Sequence, residues 1–181
     1  MSKKVLAVLT IAILVLAGVY ASAHTVEVQV SPFSYQKILY RNTMQYDSQY
    51  GFGIRVGYSY NYDPNLYVGA DLSYSNFKYA EKQNRYLIID LMAKTGFVLD
   101  FGSAFKTDFA IKAGVDLRKW GSNAKFYPTA ALYVGGMYTI NEKIDVTLGA
   151  ELKVAGQQNI NPVYNSVDIG ALSYLGVRVS L

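Results

Sequence analysis

From Phe105 to Trp120, apolar and polar positions alternate almost without a break. Phe105, Thr107, Phe109, Ile111, Ala113, Val115 and Leu117 fall on one side; Lys106, Asp108, Ala110, Lys112, Gly114, Asp116 and Arg118 fall on the other. A period of two belongs to an extended strand, whose successive side chains leave on opposite faces, whereas a helix would mix the two sets. The same alternation predicts strands over His24–Tyr35, Tyr50–Tyr60, Leu66–Phe77, 87–99, Phe126–Ile140, Lys143–Ala155 and Val167–Leu181, eight in all with 105–120. Pro32 lacks an N–H and is expected to break the ladder of the first.

The expected connections alternate in length. Residues 36–49, 78–85, 121–125 and 156–166 form the longer loops, while Asp63-Pro64-Asn65, 100–103 and Asn141-Glu142 carry tight-turn chemistry. At the N-terminus, Lys3 and Lys4 precede an uncharged run from Val5 to Val19 and then Ala21-Ser22-Ala23. A basic start, an apolar core and small residues spaced A-x-A describe a secretory signal peptide, with cleavage expected after Ala23. The expected division is therefore a signal peptide over 1–23 and a single barrel domain over 24–181. No later run is long and apolar enough for a membrane helix, so any insertion must use strands, and lipid tolerates strands only in a closed barrel.

The charged face decides the orientation. Arg55, Lys94, Lys106, Lys112, Arg118, Lys153 and Arg178 share it with Glu27, Asp71, Asp90, Asp108, Asp116, Asp145, Glu151 and Asp168, seven against eight. A near balance permits mutual pairing inside a narrow lumen, and the glycines interleaved with these residues leave room for long side chains. Facing lipid, a mid-strand lysine such as Lys112 would cost about 2 to 4 kcal/mol. The charges are therefore expected inward and the apolar set outward, with Thr95 and Ser173 as polar blemishes on the lipid face. Aromatic girdles are expected at both rims: Tyr50, Phe52, Phe77, Tyr79, Tyr86, Trp120 and Phe126 at one, Tyr58, Tyr60, Phe101, Phe105 and Tyr138 at the other.

In its signal peptide, strand count, loop asymmetry and alternating closing segment Leu175-Gly176-Val177-Arg178-Val179-Ser180-Leu181, the chain resembles the small outer-membrane barrels of the OmpA and OmpX type. The resemblance implies an all-β fold, an eight-stranded antiparallel up-and-down transmembrane barrel. It also implies outer-membrane localisation, insertion by the barrel assembly machinery and a monomer surrounded by outer-membrane lipid.

Composition narrows the chemistry. The chain has no cysteine and one histidine, His24, at the expected mature terminus, which leaves no Ser-His or Asp-His site elsewhere. Lipid A-modifying enzymes on similar scaffolds use a histidine; here the expectation is a non-enzymatic protein without cofactor, metal or dinucleotide motif. The formal charge falls from +4 to +2 once Lys3 and Lys4 are removed, which gives a nucleic-acid partner little support. Function is expected to be structural or adhesin-like. Basic residues at the outer loops (Lys37, Arg41, Lys78, Lys82, Arg85, Lys119 and Lys125, with Tyr40) are positioned to meet lipid phosphates or an acidic host surface. The alternatives are a narrow OmpW-like channel and, outside a membrane, a soluble lipocalin-like carrier.

Overall fold

A computed structural model describes residues 24–40, 46–79, 85–120, 123–157 and 166–181. The signal-peptide segment with Ala21 and Ala23 lies outside the described residues, as do Arg41 and Lys82. The strands are β1 (His24–Tyr40), β2 (Tyr46–Asp63), β3 (Leu66–Tyr79), β4 (Arg85–Asp100), β5 (Phe105–Trp120), β6 (Asn123–Asn141), β7 (Ile144–Gln157) and β8 (Ser166–Ser180). Each pairs antiparallel with its sequence neighbours, and β8 pairs with β1 to close the barrel. Among the described residues, no helix is long and apolar enough to cross a membrane.

The registers fix the geometry of closure. Stepping across the ladder from His24 passes through Tyr60, Val68, Thr95, Ile111, Leu132, Leu152 and Ala171, and returns to β1 at Tyr35. That is eleven positions up the strand (24 to 35), one of them an extra residue in a bulge, so the shear is ten. With strands about 4.8 Å apart and a rise of about 3.3 Å per residue, eight strands at this shear tilt by about 40°, within the usual range for a barrel whose interior just holds its own side chains.

The bulge corrects the expected end of the first strand. The break expected at Pro32 is a register shift between Ser31 and Ser34, and β1 continues past Tyr35 to Tyr40. Pro32 and Phe33 both face outward there, so the inward set changes from Glu27, Gln29 and Ser31 to Ser34 and Gln36. One extra residue reverses parity, which made a continuous strand read as strand followed by loop. β2, β3, β4, β6 and β7 also run past an expected end, while β5 keeps its expected residues and β8 is shifted by one. At 14 to 19 residues they exceed the ~9 to 11 that cross a bilayer, so the sheet extends beyond the lipid belt.

Three short turns share one device. The side-chain oxygen of Asp63 accepts the N–H of Asn65 at 3.0 Å, that of Asp100 the N–H of Gly102 at 2.8 Å, and that of Asn141 the N–H of Lys143 at 2.9 Å. Each is an Asx turn, in which a carboxylate or amide replaces a backbone acceptor. Gly102 sits at φ +70, where a side chain would be strained.

Outward positions are apolar: Ile111 is 63% exposed, Leu132 59% and Leu148 63%. The two blemishes on this face are satisfied locally. Thr95 Oγ1 donates to the Tyr67 carbonyl at 3.2 Å, and Ser173 Oγ to the Phe33 carbonyl at 3.1 Å. Tyr50, Phe52 and Phe126 are exposed toward one rim, and Tyr60, Phe101, Phe105 and Tyr138 toward the other. Phe77, expected in a girdle, is instead buried in the lumen, because β3 turns its odd positions inward from Tyr67 onward.

Candidate functional site

Buried charges fill the lumen at three levels. Nearest the short turns, the Arg178 guanidinium pairs with Asp108, lies 3.6 Å from Glu27 and donates to Met137 Sδ at 2.9 Å. The Tyr67 hydroxyl donates to Asp108 at 2.7 Å. Met137 and Tyr67 stand among the charges on the inward face, so they bond as well as fill.

At mid-height, Asp71 lies 2.7 Å from the ammonium groups of both Lys94 and Lys112, and Arg55 Nε approaches it to 3.9 Å. Glu151 accepts from Lys112 at 2.6 Å and from Arg55 at 2.8 Å. Arg55 also donates to Gln29, whose amide in turn donates to Glu27 at 2.6 Å and Thr147 at 2.9 Å. The Arg55 guanidinium lies 3.8 Å from the ring centre of Tyr174 and 4.7 Å from that of Tyr133, a cation held between two aromatic faces. Burial without partners would be prohibitive for these ions, and here each carries at least one opposite charge.

Toward the longer loops, Lys153 donates to Asp90 at 2.7 Å, and Ser73 donates to the other oxygen of the same carboxylate at 2.7 Å. Arg118 grips Asp116 through Nη2 at 2.8 Å, pairs with Asp168, and lies 4.8 Å over the Tyr127 ring. Gln36 donates to Asp168 at 3.1 Å.

Thirteen of the fifteen charges expected inward are thus buried together: Glu27, Arg55, Asp71, Asp90, Lys94, Asp108, Lys112, Asp116, Arg118, Glu151, Lys153, Asp168 and Arg178. Lys106 and Asp145 are not among them. Lys106 pairs with Asp100 at 3.6 Å with both side chains partly in solvent, and half-buried Asp145 accepts from Thr139 at 2.7 Å. Their parity points inward, but they stand at strand ends where the barrel opens. Gln29, Gln36, Tyr67, Tyr133 and Tyr174 belong to the network without having been expected as polar partners. Their place on the charged face was the available signal.

Small residues make the network fit. A Cβ on Gly57 would stand 2.6 Å from Asp71 Oδ1 and 2.8 Å from Lys94 Nζ, and one on Gly149 would stand 2.5 Å from the Tyr133 ring. Gly149→Val is expected to displace Tyr133 from Arg55 and to cost about 1 to 3 kcal/mol by overpacking. The urea midpoint of the folded, unboiled gel band measures it.

Of the expected loop contacts, Lys78, Lys119 and Lys125 are exposed and Lys37 is half-buried, all toward the longer loops; Tyr40 and Arg85 lie in β1 and β4. His24 is at the opposite rim, its Nδ1 hydrogen-bonded to the Tyr58 hydroxyl. Among the described residues, no three His, Cys, Asp or Glu side chains converge as a metal site.

An apolar outer wall, ion pairs within and a closed up-and-down sheet define the class: a small transmembrane β-barrel of the outer-membrane type. A lipocalin-like carrier would need the reverse sidedness. No protein-family model matches the sequence, and no curated protein matches it. Among solved structures, Neisserial surface protein A is similar with a TM-score of 0.66 and 19% identity, covering 88% of this chain and 98% of that one. Ail, the attachment invasion locus protein of Yersinia pestis, is similar with a TM-score of 0.52 and 11% identity, covering 85% and 97% respectively. At these identities the likeness is one of fold.

Proposed function

We propose that the protein is exported by the segment 1–23, cut after Ala23, inserted by the barrel assembly machinery, and retained as a monomer in the outer membrane. There it is a non-enzymatic envelope protein whose outer rim makes surface contacts. The observation that carries this reading is the filled lumen. Side chains paired at three levels leave neither a wide path for solute nor a free acid-base pair, so interaction falls to the surfaces outside the barrel. Exposed Lys78, Lys119 and Lys125 stand toward the longer loops, and they favour phosphate-bearing lipid or an acidic polymer. Among the similar structures, one is named a surface protein and another an attachment invasion locus protein, which accords with a contact role.

The test is adhesion of the folded protein to a polyanion-coated surface at low salt. Replacing Lys78, Lys82 and Arg85 together with serine removes three charges, each contributing about 1 kcal/mol near an anionic surface. Binding is expected to weaken by roughly a hundredfold and the wild-type attachment to fade with salt. Adhesion that is unchanged by the substitutions and by salt contradicts the reading.

A further inference from the structure

The one histidine of the chain is also the first residue of β1, and it faces outward at the rim of the short turns. Its ring stacks on Tyr58 at a 5.7 Å centroid separation and tilts against Tyr60 at 5.2 Å. Its Nδ1 meets the Tyr58 hydroxyl. The backbone is fixed as well, since the His24 carbonyl accepts the N–H of Leu181 at 2.9 Å and the residue pairs with Tyr60 across the β1–β2 ladder.

We infer that the mature terminus is a copper(II) site made of the His24 α-amino nitrogen, His24 Nδ1 and the Tyr58 phenol oxygen. The inference rests on the proposed cleavage after Ala23. While Ala23 is attached, the His24 nitrogen is an amide and a poor ligand; cleavage makes it a primary amine. Nδ1 is the ring nitrogen that closes a six-membered chelate with that amine, and it already points at the phenol. Two nitrogens and one oxygen suit copper(II), which binds such sets more tightly than the other divalent first-row metals and accepts a tetragonal arrangement with water completing it. No electron transfer is involved: the ammonium terminus and the phenol each give up a proton to water as the metal binds through them and the imidazole lone pair, so binding releases protons and strengthens as pH rises.

Copper(II) titration of the folded barrel, followed by electron paramagnetic resonance and visible absorption, tests the site. The expected result is one equivalent bound, with a phenolate-to-copper charge-transfer band. Tyr58→Phe, still heat-modifiable on gels, should lose the band and bind roughly tenfold more weakly or worse, and His24→Ala should lose the chelate. A peptide of residues 24–27 has the same amine and imidazole but no Tyr58, so equal affinity in peptide and barrel, or a band that survives Tyr58→Phe, overturns the site. The intact mass of protein purified from membranes reads the cleavage separately. A start other than His24 overturns the cleavage and with it the site in the natural protein. A correct start with no chelation by the barrel overturns the site alone.

Discussion

Asp71→Ala is expected to destabilise the barrel by about 3 to 5 kcal/mol, the cost of leaving buried charge without its partner. Asp71 is 2% exposed and serves Lys94, Lys112 and Arg55 together. Of these, Lys94 retains, among the described residues, only Glu27, at 3.9 Å, as a carboxylate partner once Asp71 is gone. Lys112 and Arg55 keep Glu151 and are less affected. Adding Lys94→Met to Asp71→Ala removes the stranded ammonium and should recover a substantial part of the loss, because an apolar replacement of a whole buried pair is often near neutral. Urea titration in lipid, scored by heat-modifiable mobility, reads both variants; a single variant as stable as the wild type would mean that Asp71 is not sealed among cations.

Leu132→Arg tests the opposite face. Leu132 stands midway along β6, 59% exposed, between Ile111 and Leu152 in the ladder. A guanidinium there faces hydrocarbon and is expected to cost about 2 to 4 kcal/mol, whereas the same substitution at Tyr138, near the rim, should cost about 0 to 1. The gradient matters more than either value, since a soluble barrel would tolerate arginine equally at both exposed positions. The two variants are compared by urea midpoint in the same lipid.

Much of the fold was legible because the alternation carries two kinds of information at once. From Phe105 to Trp120 the period fixes the strand, and the placement of Lys112 and Asp116 on one side fixes which face lipid can accept. β5 runs over the expected residues. The tight turns were legible too, since Asp63, Asp100 and Asn141 begin them. What the pattern concealed was the run of β1 past Tyr35: the bulge at Pro32 reverses parity, and Gln36-Lys37-Ile38-Leu39-Tyr40 does not alternate. Phe77 was misplaced because an aromatic near a strand end reads as girdle unless its parity is counted from Tyr67. In the lumen, the charges were legible but the connectors were not. Tyr133 and Tyr174 stand on the polar face of β6 and β8 and their rings flank Arg55; that role depends on which strands face each other across the barrel, which a single strand's pattern does not contain. Lys106 and Asp145 failed for a related reason, because alternation gives the side of the sheet and not the height along it.

The most direct test of sidedness uses the absence of cysteine from the chain. Ala131 and Leu132 are consecutive on β6, one buried in the lumen and the other on the outer wall. With Ala131→Cys and Leu132→Cys prepared separately in lipid vesicles, a thiol reagent confined to the acyl-chain region is predicted to label Leu132→Cys and to spare Ala131→Cys. Labelling of Ala131→Cys with Leu132→Cys protected would contradict the account.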